Sequence, residues 1–277
     1  MPEGPEIRQS ADQIAAALVD RRVTEMFFAF DRLKPYESEF VGHCVTAVRT
    51  RGKGMVICFS NQLYIYSHNQ LYGRWYVRKA QSYPETNRQL RLAIHNAKKS
   101  ALLYSASDIE VLQESQLATH PFLSRIELDV LDEAVTVEQI EARFRDKRFY
   151  RRQLPILLLD QHFLGGLGNY LRSEILFVAR VFPSLRSIDC SDDQIHALAQ
   201  AVLTVTHQSY VTKGITNDLE LAMQLKAQGY RRSEYRHYVF NRENRPCFVC
   251  GTLIVKEILA GRRLYYCPRC QAKMPVK

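Results

Sequence analysis

Two pairs of cysteines near the C-terminus constrain the fold of this chain more than any other feature of the sequence. The pairs are Cys247–Cys250 and Cys267–Cys270, with sixteen residues between them. Two C-x-x-C pairs at this spacing turn four thiolates toward one ion, as in a tetrahedral structural Zn²⁺ site. The apolar runs on either side of Ala260-Gly261 predict a β-hairpin between the pairs. The sequence therefore predicts one structural zinc ion, bound by Cys247, Cys250, Cys267 and Cys270.

Two redox dithiols are the alternative explanation for these four cysteines. That explanation needs a thioredoxin-like βαβ unit around a C-x-x-C pair, and neither pair has one, so we favour the metal site. The other cysteines, Cys44, Cys58 and Cys190, stand singly and are expected to be small buried apolar residues.

The positive charge of the chain is concentrated toward its C-terminus. The chain carries 38 Lys and Arg against 29 Asp and Glu, a net charge of +9. Residues 225–277 hold twelve basic and three acidic residues, which accounts for the whole excess. A second basic cluster lies mid-chain at Arg143, Arg145, Lys147, Arg148, Arg151 and Arg152. Such charge attracts phosphate backbones, although a merely solubilising surface is the alternative.

The composition is that of an ordinary globular protein. Apolar residues make up 46% and charged residues 24% of the 277 residues, which excludes a disordered, collagen-like or disulfide-stapled chain. No apolar stretch reaches the roughly 18 residues that a membrane span needs. Glu3, Glu6, Arg8 and Asp12 interrupt any signal-peptide core. We therefore expect a soluble protein of a reducing compartment, without a membrane partner.

Hydrophobic periodicity changes from strand-like to helical along the chain. Pro5 and the apolar residues after it predict a first helix. Short alternating runs then predict strands at 23–30, 44–49, 55–59, 63–67, 74–78, 90–95 and 101–105. Helical spacing follows at 137–144, 154–163, 170–178, 192–211 and 218–228.

This order of elements predicts an α+β fold with an N-terminal antiparallel β-sandwich and flanking helices. We expect that sandwich to be the catalytic domain and to span residues 1–126, followed by an acidic linker at 127–135. A helical DNA-binding domain would occupy 136–245, and the zinc β-hairpin and tail 246–277. Two domains fit the length of the chain.

The first residues have the composition of a reactive N-terminus. Removal of Met1 would leave Pro2 with a secondary amine whose pKa, near 8, is far below that of lysine. Such an amine can attack a sugar C1′ and form an iminium, which acidifies the C2′ hydrogen and drives elimination of phosphate. Glu3 could donate a proton to the opening ring. The alternative is that Pro2 and Glu3 merely start a helix.

Together these motifs resemble the formamidopyrimidine-DNA glycosylase/endonuclease VIII family, and specifically its endonuclease VIII branch. The resemblance extends from Pro2 to Cys270 in the family's order. Besides the N-terminus and the zinc hairpin, it rests on the stretches 51–53, 68–73, 120–125 and 165–174. It implies a helix–two-turn–helix domain and a monomer that acts on double-stranded DNA with damaged bases or abasic sites, without a protein partner. It also implies a bacterial cytoplasmic protein that associates with the nucleoid through DNA binding.

The resemblance also implies a role for each matched residue. Catalysis falls to Pro2 and Glu3, to Lys53 in the first elimination, and to Arg262, which clamps phosphate in the second. Arg263 departs from the family pattern, in which a proline is expected. The implied DNA-binding residues are Gln70, Leu71, Tyr72, Arg125 and Asn169.

Each of these residues also has an ordinary structural explanation. Lys53 alone would be a solvated surface charge, although its glycine-flanked turn suits a mobile ammonium. Leu71 and Tyr72 could be core residues at the end of a strand, whereas in an exposed loop they could fill the gap left by an extruded base. Asn169 is expected as a helix N-cap, and the glycines before it could mark an αα-corner.

Two other functions remain possible from the sequence. The purine-directed branch of the same family would remove oxidised guanine or formamidopyrimidines, but it usually has Leu where this chain has Gly4. A zinc-ribbon protein that binds DNA without catalysis would explain the charge and the cysteines. It would give Pro2, Glu3 and Lys53 no role.

Overall fold

The computed structural model describes residues 2–272. The removal of Met1 and the basic tail at 273–277 therefore lie outside the described residues. The chain divides after Arg125 into an N-terminal unit, Met1–Arg125, and a C-terminal unit, Ile126–Lys277. Within residues 2–272, no helix is long and apolar enough to cross a membrane.

The N-terminal unit begins with helix α1, Gly4–Leu18. Pro5 lies in its first turn, and the Glu3 backbone N–H donates to Oε2 of Glu6 at 2.9 Å. Ile7, Ile14 and Leu18 recur at helical spacing and are buried. Shorter helices follow later in the unit, α2 at Glu37–Phe40 and α3 at Glu114–Thr119.

Eight strands form two antiparallel four-stranded sheets in the N-terminal unit. They are β1 Glu25–Phe28, β2 Val45–Arg51, β3 Gly54–Phe59, β4 Leu63–His68, β5 Arg74–Lys79, β6 Leu90–His95, β7 Lys99–Tyr104 and β8 Asp108–Gln113. One sheet has the order β1-β6-β7-β5 and the other β2-β3-β4-β8. Residues of both sheets, such as Phe28 and Ile57, share one buried core with α1, which makes the unit a β-sandwich.

The C-terminal unit is helical and ends in a hairpin. Its helices are α4 Val137–Arg145, α5 Leu154–Leu157, α6 Asn169–Val178, α7 Asp192–Val211, α8 Leu219–Ala227 and α9 Arg232–Tyr235. Strands β9, Val255–Leu259, and β10, Arg262–Tyr266, pair antiparallel. Side-chain caps begin α4 and α7: Ser191 Oγ accepts the Gln194 N–H before α7, and Thr136 caps α4 in the same way. The predicted fold class is confirmed.

Several predicted elements differ from those observed. The helix expected at 154–163 ends at Leu157, because the chain then turns at Asp160, whose Oδ1 accepts the His162 N–H. Strand β8 and helix α3 were not predicted. The stretch 127–135 lies within the C-terminal unit, where the Val130 N–H donates to Gly165 O. Cys58 is buried as expected, whereas Cys44 and Cys190 are only half-buried.

A buried carboxylate connects helix α6 to the segment that leads into the zinc hairpin. Glu174 is fully buried, and its oxygens accept the backbone N–H groups of Tyr238, Val239 and Phe240 at 2.8–2.9 Å. The Thr216 hydroxyl donates to the same carboxylate at 2.6 Å. Burial raises the pKa of Glu174, and these four hydrogen bonds act in the opposite direction.

Replacing Glu174 by Gln is expected to destabilise the C-terminal unit. An amide NH₂ would then face N–H donors, and leaving buried donors unsatisfied should lower the free energy of unfolding by about 2 kcal/mol or more. Denaturant unfolding followed by far-UV circular dichroism measures this loss of stability. Glu220→Gln on the exposed side of α8 is the control and should change little. Equal stability of the two variants would contradict this assignment.

Candidate functional site

The N-terminal motif lies at the start of α1. Pro2 is half-buried, and Glu3 occupies the N-cap position with only 3% of its surface exposed. The motif therefore does start a helix, as the structural alternative requires. Because carboxyl groups are rarely so buried, the environment of Glu3 also differs from that of an ordinary capping residue on a protein surface.

Lys53 lies in the two-residue turn between β2 and β3. Arg51 and Gly54 are paired across this hairpin, and Gly52 has a φ of +59°, which suits glycine. Lys53 is 9% exposed. The alternative of a solvated surface charge is therefore wrong, because Lys53 is buried.

The loop between β4 and β5 presents two apolar side chains to solvent. Leu71 is 56% exposed and Tyr72 69% exposed, so the alternative that places them in the core is wrong. The Gly73 N–H donates to Asn69 O at 2.7 Å, and a Cβ on Gly73 would lie 2.5 Å from that same oxygen. Only glycine closes this turn without displacing the backbone.

Gln70 begins this exposed loop and is held at both its backbone and its side chain. Its φ is +49°, in the left-handed region, and its N–H donates to Nδ1 of His68 at 3.0 Å. The Ser107 hydroxyl donates to Oε1 of Gln70 at 2.8 Å. The loop is therefore anchored where it leaves strand β4.

His68 connects the loop to the Lys53 turn. Burial, and then the charge of Lys53, lower the pKa of His68 to about 4. Neutral imidazole can accept the Gln70 N–H at Nδ1, whereas imidazolium cannot. The ring also lies edge-on to Phe122, with 5.2 Å between centroids. Lys53, Gln70 and Phe122 thus surround one histidine at one end of this sheet.

His120 shapes the turn that carries Arg125. Its Nδ1 accepts the N–H groups of Phe122 and Leu123 at 3.2 and 3.3 Å, and its Nε2 lies 3.6 Å from Oε1 of Glu110. The ring is buried against Tyr66, with 4.3 Å between centroids. Arg125 ends this 3-10 turn and is exposed.

The four cysteines of the C-terminal hairpin form one cluster, as predicted. Their Sγ atoms all lie within 4.8 Å of one another, with Cys247 and Cys270 at 3.9 Å and Cys250 and Cys267 at 3.4 Å. Zn–S bonds of about 2.3 Å in a tetrahedron require sulfur atoms about 3.8 Å apart. The cluster fits one structural zinc ion, whose role here is to hold the two ends of the hairpin together.

Asn169 is the first residue of α6, and the prediction that it is the N-cap is wrong. The N-cap is Gly168, whose backbone is extended. The Asn169 side chain instead binds the hairpin: its Nδ2 donates to Arg263 O at 2.9 Å, and its Oδ1 accepts from Arg172 at 2.7 Å. Arg262, the predicted catalytic residue, directly precedes Arg263 in the chain. The hydrogen bond from Asn169 to Arg263 O therefore places Asn169 next to Arg262.

Acids of the C-terminal unit balance much of the charge of the mid-chain basic cluster. Four of its arginines pair with acids of the same unit. The pairs are Arg143 and Arg148 with Glu127, Arg145 with Asp192, and Arg152 with Asp160. Arg143 is also buried and donates to Phe163 O.

Sequence reasoning assigned no role to His68, His120, Arg172 or Glu174. All four lie inside the motifs that carried the family resemblance. The available signal was a polar residue within an apolar run: Arg172 and Glu174 interrupt a helix that is otherwise buried nearly all round. In such a setting a charge needs several internal partners.

Three family models match this chain in order. The formamidopyrimidine-DNA glycosylase N-terminal domain matches residues 1–107, the H2TH domain 126–220, and the zinc finger found in FPG and IleRS 245–273. Endonuclease 8 of Salmonella arizonae and that of Escherichia coli are each 46% identical over 271 residues, which is 98% of this chain and 100% of the relative.

Solved structures share the fold at low identity. Lactococcus lactis Fpg in complex with DNA containing an abasic site gives a TM-score of 0.80 at 18% identity. MutM in complex with DNA containing carbocyclic 8-oxo-G gives 0.78 at 19%. Both comparisons cover 98% of this chain and 100% of the other.

The matched domains define a zinc-finger DNA-repair glycosylase with AP lyase activity. Within that class, the chain belongs to the formamidopyrimidine-DNA glycosylase/endonuclease VIII family, and its relatives at 46% identity are endonuclease 8 proteins. The predicted family and the predicted zinc ion are confirmed.

The pKa of His68 is expected to depend on Lys53. The pKa of His68 in the folded protein is lower than the usual 6.5. Neutral His68 therefore contributes to the free energy of unfolding above pH 6.5, and this contribution is lost as the pH falls toward about 4. Lys53→Gln should raise the His68 pKa because a nearby positive charge is removed, and Lys79→Gln at the far end of β5 should not. An NMR titration measures both, and identical values in all three proteins would contradict this coupling.

Two substitutions of His120 are expected to separate its two ring nitrogens. In His120→Asn the amide oxygen can replace Nδ1 as acceptor for the turn, whereas in His120→Gln it takes the place of Nε2. If Arg125 contacts phosphate, His120→Gln should weaken DNA binding. It should also reduce the slope of the logarithm of the binding constant against the logarithm of salt concentration by about 0.9, the value for one phosphate contact. His120→Asn should keep the wild-type affinity and the wild-type slope. Binding titrations against salt concentration measure this. Equal losses in both variants would count against the acceptor role.

Proposed function

We propose that this protein is a bifunctional DNA glycosylase/AP lyase of base excision repair that removes oxidised pyrimidines. The observation that carries the proposal is the N-terminal Pro2-Glu3 pair at the start of α1, in a chain 46% identical to endonuclease 8 proteins over nearly its whole length. We further propose that it acts as a monomer on double-stranded DNA with damaged bases or abasic sites, in the bacterial cytoplasm.

Base removal begins with the N-terminal amine. The lone pair of the neutral Pro2 nitrogen attacks C1′ of the lesion, and the glycosidic bond breaks with its electron pair going to the departing base. The proton lost from the Pro2 nitrogen balances the proton that the departing base takes up. Glu3 donates a proton to the ring oxygen as the sugar opens. The product is an iminium between Pro2 and C1′, which carries a fixed positive charge and acts as an electron sink.

Two eliminations then cleave the strand. Loss of a C2′ proton breaks the C3′–O bond, and the 3′ phosphate leaves with the electron pair. Loss of a C4′ proton next breaks the C5′–O bond and releases the 5′ phosphate. Water hydrolyses the iminium and frees Pro2. We assign assistance in the first elimination to Lys53 and in the second to Arg262, whose guanidinium suits bidentate phosphate binding.

The proposed lesion-side contacts come from the exposed loop of the N-terminal unit. When the damaged base is extruded, Leu71 and Tyr72 would fill the vacated stack and Gln70 would hydrogen-bond the orphaned partner base. The high exposure of Leu71 and Tyr72 supports this assignment. We assign phosphate contacts to Arg125 and Asn169.

Borohydride trapping on DNA containing thymine glycol tests the proposal. Untagged protein should become covalently crosslinked, and peptide mapping should locate the crosslink at Pro2, because borohydride reduces an iminium to a stable amine. A tag ahead of Pro2 should abolish crosslinking and base removal but retain DNA binding, since it converts the amine to an amide. The same tag at the C-terminus is the control.

Full activity with the N-terminal tag would overturn the assignment of Pro2 as the nucleophile. Crosslinking on 8-oxoguanine DNA much faster than on thymine glycol DNA would instead assign the protein to the purine-directed specificity. DNA binding without any crosslink in the untagged protein would leave a non-catalytic zinc-finger DNA-binding protein.

A further inference from the structure

We propose that Arg172 is a positioning residue for the second elimination: together with Asn169 it clamps the backbone carbonyl of Arg263 and so fixes the adjacent Arg262. The inference rests on the proposed function, because it takes Arg262 as the residue that assists that step. It concerns only the C-terminal unit, in which α6 and the hairpin both lie.

The clamp consists of two donors that converge on one oxygen. Nη2 of Arg172 donates to Arg263 O at 3.0 Å, and Nδ2 of Asn169 donates to the same oxygen at 2.9 Å. Nη1 of Arg172 donates to Pro155 O at 3.1 Å, which anchors the guanidinium on its other side. Both residues belong to the first turn of α6, so the hairpin is tied to a rigid element.

Arg172 also sets the orientation of the Asn169 amide. Nη2 of Arg172 donates to Oδ1 of Asn169 at 2.7 Å. A guanidinium has only donors, so the amide must present its oxygen to Arg172 and its NH₂ group to Arg263 O. If the amide were flipped, its NH₂ group would face the Arg172 guanidinium, donor against donor. Its oxygen would then face Arg263 O, acceptor against acceptor.

The zinc site alone leaves the hairpin tip far from its nearest fixed point. Five residue steps separate Arg262 from Cys267, about 17 Å at the rise of a β-strand. The tip itself is formed by Ala260 and Gly261, which both have positive φ, and Arg262 is exposed. Zinc therefore secures the base of the hairpin, and the clamp secures the strand next to the tip.

A second contact makes the register of β10 on α6 specific. The Tyr265 N–H donates to Oγ of Ser173 at 3.3 Å, two residues beyond the clamped carbonyl. Arg172 and Ser173 thus bind backbone groups of β10 that are separated by one strand repeat. A shift of the strand by one residue would break both contacts, because alternate residues of a strand face opposite sides.

Buried charge explains why arginine suits this position. Arg172 is fully buried, and three neutral oxygens receive its Nη hydrogens. A planar fork of donors can reach all three oxygens in a fixed geometry, whereas a lysine ammonium is a point charge on a flexible stem. Arg172→Lys is therefore expected to keep the charge while losing the convergence on Arg263 O.

The consequence is selective for one step. Pro2, Glu3 and Lys53 lie in the N-terminal unit and do not depend on the clamp for their local structure. On DNA saturated with protein, loss of Arg172 should therefore spare iminium formation and the first elimination, whereas the phosphate contact assigned to Asn169, which Arg172 orients, acts on DNA binding. The second elimination should slow, because a catalytic group displaced by about 1 Å can lose about a hundredfold in rate.

Product analysis on abasic-site DNA tests the clamp. Gels separate the product of the first elimination alone from the product of both, and borohydride trapping measures iminium formation independently. In Arg172→Met the ratio of second to first product should fall at least about tenfold, while the trapping rate stays within about twofold. Arg172→Lys should give an intermediate ratio. Arg262→Gln is the reference for loss of the second step.

Matched controls separate positioning from folding. Arg186→Met removes an exposed arginine that pairs with Asp189 in the same unit, and it should change neither measurement. Zinc content and DNA binding report on the integrity of the hairpin. If Arg172→Met does not retain zinc, Arg172→Lys, which keeps the buried charge, decides the question.

Four results would overturn the inference or its basis. An unchanged ratio of second to first elimination product in a zinc-loaded Arg172 variant would exclude the clamp. A fall in the borohydride trapping rate as large as the fall in that ratio would exclude it too. Failure of the wild-type protein to be trapped at Pro2 would instead overturn the proposed function. An unchanged ratio in Arg262→Gln would show that another residue assists the second elimination.

Discussion

The carboxylate of Glu174 is the interaction on which the organisation of the C-terminal unit depends. It lies on α6, and its hydrogen bonds reach Thr216 and the segment Tyr238–Phe240, which are far apart in sequence. Between these two attachment points the chain forms α8 and α9, and after the second it runs directly into Cys247. The buried side chain of Glu174 therefore fixes both ends of the segment that contains α8 and α9, and with them the start of the zinc hairpin.

Helix α6 serves as the common support because its polar residues are buried beside its apolar ones. Asn169, Arg172 and Ser173 bind the hairpin strand, and Glu174 binds the segment before it. Burying a charge is costly unless hydrogen bonds replace its water, and here backbone carbonyl and N–H groups supply much of that replacement. Because those groups have fixed directions, this compensation also fixes the position of each segment on the helix.

Patterns that depend on local spacing were predictable from the sequence. The cysteine pairs, most strands of the sandwich and the limits of α7 follow from periodicity, capping residues and ligand spacing. The predicted helix at 154–163 failed because an apolar run carries no sign of the turn at Asp160. The N-cap prediction for Asn169 failed for another reason: a side chain's partner can lie many residues away, as Arg263 does from Asn169.

The candidate site combines two opposite departures from ordinary surface chemistry. Glu3 and Lys53 have ionisable side chains but are buried, whereas Leu71 and Tyr72 are largely apolar but exposed. Exposed apolar surface forgoes about 25 cal/mol for each Å² left in water, so a flexible loop would tend to fold it inward. Here the turn closed by Gly73 and the anchors on Gln70 hold the loop in place. Under the proposed function, Leu71 and Tyr72 enter a base stack, and a loop already held in place has met part of the ordering cost of that insertion in advance.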